Sequence, residues 1–198
     1  MKKFNVPYYE QNKKYMCGCA NLRMAAAYLG RKRSYPQIKR LVRTLNSGMV
    51  LAEGIAVGGY ELGLGVRYYG KDLSLNTKLP YIKKGLGKDG LTVIKELKEK
   101  IKAYNIEVKK KNISLKNLLG YLTKNSLPIV LVNSNVLDRK PGHNGHYLTI
   151  VGHDKKTIYV HNSGTRWPFP YWPIKKTLFE EAWSSRHADK KTIILYKK

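Results

Sequence analysis

Acidic residues are scarce in this 198-residue chain: 13 Asp and Glu stand against 38 Lys and Arg, a formal net charge of +25. The first fifty residues carry eleven basic side chains and one acid, Glu10. Such a field attracts nucleic acid, an anionic membrane surface or acidic proteins. The lysines are dispersed and form no Arg–aromatic recognition motif, so a generally lysine-rich surface accounts for the charge equally well. Cysteine is almost absent. Two residues, Cys17 and Cys19, exclude a disulfide framework, and Cys-x-Cys is too tight for an ordinary bridge. A reducing compartment fits. The start, MKKFNVPYYEQ, has no apolar segment of the secretory kind. No run approaches the roughly 18 apolar residues of a membrane helix. A soluble cytoplasmic protein with no transmembrane segment is expected.

Repeats, low-complexity tracts and long linkers are also missing. The length predicts one domain over 1–198, with a helical lobe over about 1–125 and a sheet lobe over about 126–198. At 42% hydrophobic residues the chain can fill a core. A helix is expected from Cys17 or Gly18 to Leu29, ended by Gly30. Ser34 should cap a second over Pro36 to Leu45. A third spans Glu53 to Leu62 and is weakened by three glycines. VRYYG reads as a strand, Lys78 to Gly90 as a loop, Thr92 to Ala103 as a helix and IEVKKKN as a strand. Ser114 should cap a helix through Lys124. After Leu127 the pattern changes: LPIVLVNS is a continuous apolar run, as in a strand covered on both faces. HYLTIVG, TIYVHNS and TIILYK add strands, with KTLFEEAWSS a helix between, while GTRWPFPYWP reads as a packed loop. Helices followed by a mostly antiparallel sheet make an α+β fold.

The hairpin HYLTIVGHDKKTIYVHN sharpens the functional reading. A turn centred on Asp154 sets His146 directly across from Asn162, with Cβ atoms about 5 Å apart. Both then end apolar, inward-facing rows. An asparagine oxygen can fix one ring N–H of a histidine and leave the other nitrogen for chemistry. The natural nucleophile is Cys17, because a helix N-terminus and an imidazolium both favour the thiolate. The Cys17 N–H and the Gln11 side-chain amide are candidate donors to an oxyanion. Tyr15 and Asn21 flank the cysteine and are candidates to line the cleft.

These residues carry a resemblance. VPYYEQ, YMCG-x-A-x-L-R-M and GHYLTIVGHD…IYVHN resemble the bacteriocin-processing (double-glycine) peptidase-like family of papain-like cysteine peptidases. Gln11 stands six residues before Cys17, and Asn162 sixteen beyond His146. The resemblance implies a papain-like fold whose cleft lies between a helical side and a sheet. It implies Cys17 as nucleophile, His146 as general base, Asn162 as orienting residue and Gln11 as oxyanion donor, with Trp167, just past Asn162, a candidate shield of the Asn–His pair. It implies hydrolysis of a peptide or isopeptide bond in a peptide or protein substrate, an acidic one being a candidate in view of the charge, with no cofactor or metal. The same residues would serve a peptidyl or acyl transferase. A strongly basic nucleic-acid- or membrane-binding module on an idle peptidase fold is a further alternative. Cys17, Cys19, His143 and His146 also supply the donors of a tetrahedral zinc site, although their spacings are unusual for one. Cys19 is expected to be structural, His143 to lie on the cleft rim, and His153 and His161 to lie at or near the surface.

Overall fold

The computed structural model describes residues 2–70, 86–164 and 168–198. Most of the loop expected over Lys78 to Gly90, and Trp167, lie outside the described residues. Helix α1 (Cys17–Tyr28) is buried on almost every side, with Asn21, Leu22, Met24, Ala25 and Ala26 inaccessible to solvent. Gly30 closes it at φ +83°, where only glycine sits without strain. Helix α2 (Tyr35–Leu41) begins as the sequence predicts: the Ser34 N–H donates to Gln37 Oε1 at 2.9 Å, and Pro36 occupies the first turn. It ends four residues earlier than expected. Arg43 turns to φ 50° and its guanidinium forks onto Glu61 at the end of α3 (Ala52–Glu61). The glycines of α3 serve packing: a Cβ on Gly54 would lie 2.2 Å from the Val42 carbonyl oxygen.

Strand β1 (Lys2–Lys3) opens the chain, and β2 (Gly65–Tyr69) follows α3. Next come α4 (Gly90–Ala103), β3 (Glu107–Lys109) and α5 (Leu115–Gly120). Ser114 Oγ accepts from the Asn117 N–H, the cap the sequence predicts. A tight Thr123–Ser126 bridge then stops the helix short of Lys124. Strand β4 (Ser126–Asn133) is buried at every position but Leu131, as its unbroken apolar run requires, and is covered by α1 and α7. The short α6 (Ser134–Leu137) leads to β5 (Gly145–His153), β6 (Thr157–Asn162) and β7 (Phe169–Lys175). Helix α7 (Lys176–Ser184) buries Phe179 and Trp183, and β8 (Thr192–Tyr196) completes the elements.

The strands form one eight-stranded sheet in the order β3-β2-β8-β4-β5-β6-β7, with β1 on β5. Among the described residues only the β2–β3 pairing is parallel, so the fold is α+β with a mostly antiparallel sheet. Strand β7 corrects the expected loop. Its prolines, Pro170 and Pro173, lie on the sheet's last strand, where a missing N–H donor does least harm.

Candidate active site

Three elements converge on one cleft of about 200 Å³: the first turn of α1, the start of β5 and the end of β6. Cys17 is the first residue of α1 and is 8% exposed. Burial alone would raise its pKa. The charge and hydrogen bond of the His146 ring, with the backbone N–H groups of Tyr147 and Gly18, outweigh burial and bring it below the ordinary thiol value. His146 mirrors this. Burial lowers its pKa, but the Cys17 thiolate and the hydrogen bonds to Cys17 and Asn162 raise it above 6.5 on balance. Both shifts favour a thiolate–imidazolium pair.

The far side of the ring is held by Asn162, whose Oδ1 lies 2.8 Å from His146 Nε2. The same oxygen accepts the Gly164 N–H at 3.0 Å, and Tyr8 Oη–H donates to the Asn162 carbonyl at 2.9 Å. A Cβ on Gly164 would press to 3.0 Å from Oδ1, so the close approach depends on glycine. An amide oxygen can only accept, so Oδ1, steadied by the Gly164 N–H, pins the imidazole with Nε2 protonated and leaves Nδ1 for the sulfur.

The pairing differs from the expected one. Thr149 opposes His161 and Ile150 opposes Val160, with a bulge between Ile150 and Gly152. Continued, that register sets Asn162 opposite Leu148. His146 is the diagonal neighbour two residues on, still on the same face and within reach of long side chains. The turn lies further along than Asp154, which caps it by accepting from the Lys156 and Thr157 N–H groups.

Gln11 lines the same cleft. Its backbone N–H donates to the Ser163 carbonyl at 3.0 Å and one Nε2–H to the Lys13 carbonyl at 3.0 Å. This orients the side-chain amide and leaves the second Nε2–H over. Gln11 Oε1 is buried with no hydrogen-bond partner among the described residues. Tyr15, held at φ 68° and 53% exposed, forms part of the rim.

Other residues depart from expectation. Asn21 does not line the cleft; it is wholly buried beneath it. His161 is also fully buried, not near the surface. Its Nε2–H donates to the Val6 carbonyl at 2.9 Å and its Nδ1 accepts the Tyr171 N–H at 3.1 Å. Cys19 faces Thr44, at 3.4 Å between Sγ and Oγ1, and burial raises its pKa. His143 packs edge-on against His187, 4.8 Å between ring centres. The four donors weighed for zinc are therefore not assembled, and no three His, Cys, Asp or Glu side chains among the described residues form a metal-binding group. Sequence reasoning missed Trp172 and Asp138, both on the cleft wall. Trp172 was legible only by reading its proline-containing run as a strand, since β7 pairs it with Val160.

Among the described residues no helix is long and apolar enough to cross a membrane. No protein of curated function matches the chain in sequence. Solved structures do match. The peptidase domain of Streptococcus ComA, a bifunctional ABC transporter involved in a quorum-sensing pathway, superposes with a TM-score of 0.61 at 16% identity, covering 98% of this chain and all of that one. A putative C39-like peptidase from Bacillus anthracis gives 0.62 at 13% identity, covering 100% and 98%. A double-glycine-motif protease from an AMS/PCAT transporter, in complex with its leader peptide, gives 0.56 at 15%, covering 100% and 99%. Residues 6–169 match the Peptidase_C39 like family, a span that takes in α1, β5 and β6. The chain belongs to that family and is a cysteine peptidase of the papain-like type.

Proposed function

We propose that this peptidase hydrolyses a peptide or isopeptide bond with Cys17 as nucleophile, His146 as general acid and base, Asn162 as the residue that orients the ring, and Gln11 as an oxyanion donor. The observation that carries the reading is the convergence of a thiol on α1 with an imidazole on β5 whose Nε2 lies 2.8 Å from Asn162 Oδ1. The Cys17 thiolate attacks the carbonyl carbon. The Cys17 N–H and the Gln11 amide hold the negative oxygen of the tetrahedral intermediate. His146 gives its proton to the leaving amine, and the acyl group stays on sulfur. The neutral ring then takes a proton from water, which attacks the thioester and frees the carboxylate and the thiol. A peptide substrate agrees with the leader-peptide complex of the related transporter peptidase. Both cysteines are free thiols, which suits work in a reducing, cytoplasmic setting.

Iodoacetamide labelling followed by mass spectrometry tests the reading. Cys17 should be alkylated ahead of Cys19 below about pH 7, and His146→Ala should remove that advantage. Cys17→Ala should abolish turnover and leave the fold intact; an alanine variant that still cleaves would refute the assignment. Product masses with and without an added amine report the acceptor, and an amine adduct in place of the free acid would move the reaction to acyl transfer.

A further inference from the structure

Strands β5 and β6 pair from Thr149 and His161 toward their turn, but not in the other direction. The next facing pairs in that register would be Leu148 with Asn162 and then Tyr147 with Ser163. The backbone groups of Tyr147 and Ser163 turn elsewhere. The Tyr147 N–H is directed to the Cys17 sulfur, and its carbonyl accepts Asn21 Nδ2–H at 2.9 Å. The Ser163 carbonyl accepts the Gln11 N–H. What separates the strands is the first turn of α1, and the side chain that fills the fork is Asn21.

Every polar atom of that side chain is used. Nδ2 donates to the carbonyls of Cys17 at 2.8 Å and Tyr147 at 2.9 Å, and lies 3.3 Å from Ser163 Oγ. Oδ1 accepts Thr149 Oγ1–H at 2.6 Å. A hydroxyl on one side and two carbonyls on the other permit one orientation of the amide. Asn21, Thr149 and Ser163 are all 0% exposed. The partners are Cys17 itself, the residue after His146 and the residue after Asn162. One amide therefore touches the chain at or beside each member of the proposed triad.

We infer that Asn21 is a positioning residue: its amide holds β5 and β6 apart around the first turn of α1 and so sets the Cys17 sulfur against the His146 ring. A polar group that served the core alone would need partners, but not these three. The inference rests on Cys17 as the nucleophile. It explains why an amide stands four residues after Cys17 among the buried apolar residues of α1, where burying a polar side chain is unfavourable unless every group is satisfied.

The test is the pH profile of iodoacetamide alkylation at Cys17, read by mass spectrometry on the full chain. Asn21→Ala should slow labelling at about pH 6 by roughly 10-fold and move the inflection upward by about one pH unit. Thr149→Val keeps the shape and removes only the donor that orients the amide. It should shift the profile in the same direction by roughly 3-fold in rate at about pH 6. A lower melting temperature without a shifted profile is what a purely structural role predicts. Should Asn21→Ala not fold, Thr149→Val decides alone. A reactive wild type whose profile is matched by the folded variants would overturn this inference and leave the nucleophile standing. A wild-type Cys17 that reacts only above about pH 8 would overturn both.

Discussion

His146 and Asn162 are joined at 2.8 Å although neither opposes the other in the β5–β6 ladder. The bond runs on the diagonal, so it depends on the reach of both side chains and on the Gly164 N–H that shares the oxygen. Asn162→Ala should free the ring to turn, lowering kcat on the order of 10²-fold with little change in KM. Asn162→Asp keeps the acceptor and adds a negative charge, which raises the His146 pKa further. The pH–rate profile of that variant should move to higher pH with most of the activity kept.

Cys19 should behave as the opposite of Cys17. It is fully buried, faces Thr44, and its pKa is raised by burial. Cys19→Ala should leave turnover and the labelling stoichiometry at Cys17 unchanged and lower folding stability by about 1–2 kcal/mol, the scale of a small core deletion. Denaturant titration alongside the activity assay checks both halves.

Gly54 marks the tightest helix contact described. A methyl there would meet the Val42 carbonyl oxygen at 2.2 Å, and neither backbone can yield easily. Gly54→Ala should destabilise by about 1–3 kcal/mol even though alanine favours helix. An unchanged melting temperature would show that α3 can shift away from the end of α2.

Two histidines set an acid limit on the fold. Burial holds His161 below its ordinary pKa, and burial with the neighbouring His187 brings His143 down to about 4. Both rings take up protons more readily unfolded than folded. Their contribution is therefore complete above about pH 6.5 and is lost as the pH falls toward about 4. Melting temperature should drop across that window. His161→Gln, which can still donate to the Val6 carbonyl and accept from Tyr171, should flatten part of the slope.

The charge makes a separate prediction. Acids are few, and Glu61, Glu96 and Glu107 are already engaged by Arg43, Lys100, Arg67 and Lys109. An acidic peptide substrate should show a KM that rises with ionic strength, while kcat stays level. A KM indifferent to salt would separate the +25 charge from substrate capture.

Much of this was legible because the signals were local. Cys17 opens a helix that ends at Gly30, and an unbroken apolar run at Leu127 makes a buried strand. The site was legible for a less direct reason. The expected hairpin register was off by two residues at the site, and an even error leaves every side chain on its own face. An odd error would have turned Asn162 away from His146. What stayed hidden depends on tertiary contacts. The edge strand β7 carries two prolines that read as loop, and the role of Asn21 emerges only when β5 and β6 part around it. His161 looked outward because alternation gives its face but not what Val6, Tyr8 and Tyr171 bring to cover it.

The prolines of β7 have a counterpart on the opposite flank. There β3 is only three residues long and runs into Lys109, Lys110 and Lys111. A stray strand approaching one margin finds donors missing, and at the other it meets a short ledge guarded by ammonium groups. An eight-stranded sheet is an obvious template for fibrils, and this one is blunted at both ends. Edge-to-edge pairing between copies of the protein is therefore disfavoured at both described margins of the sheet.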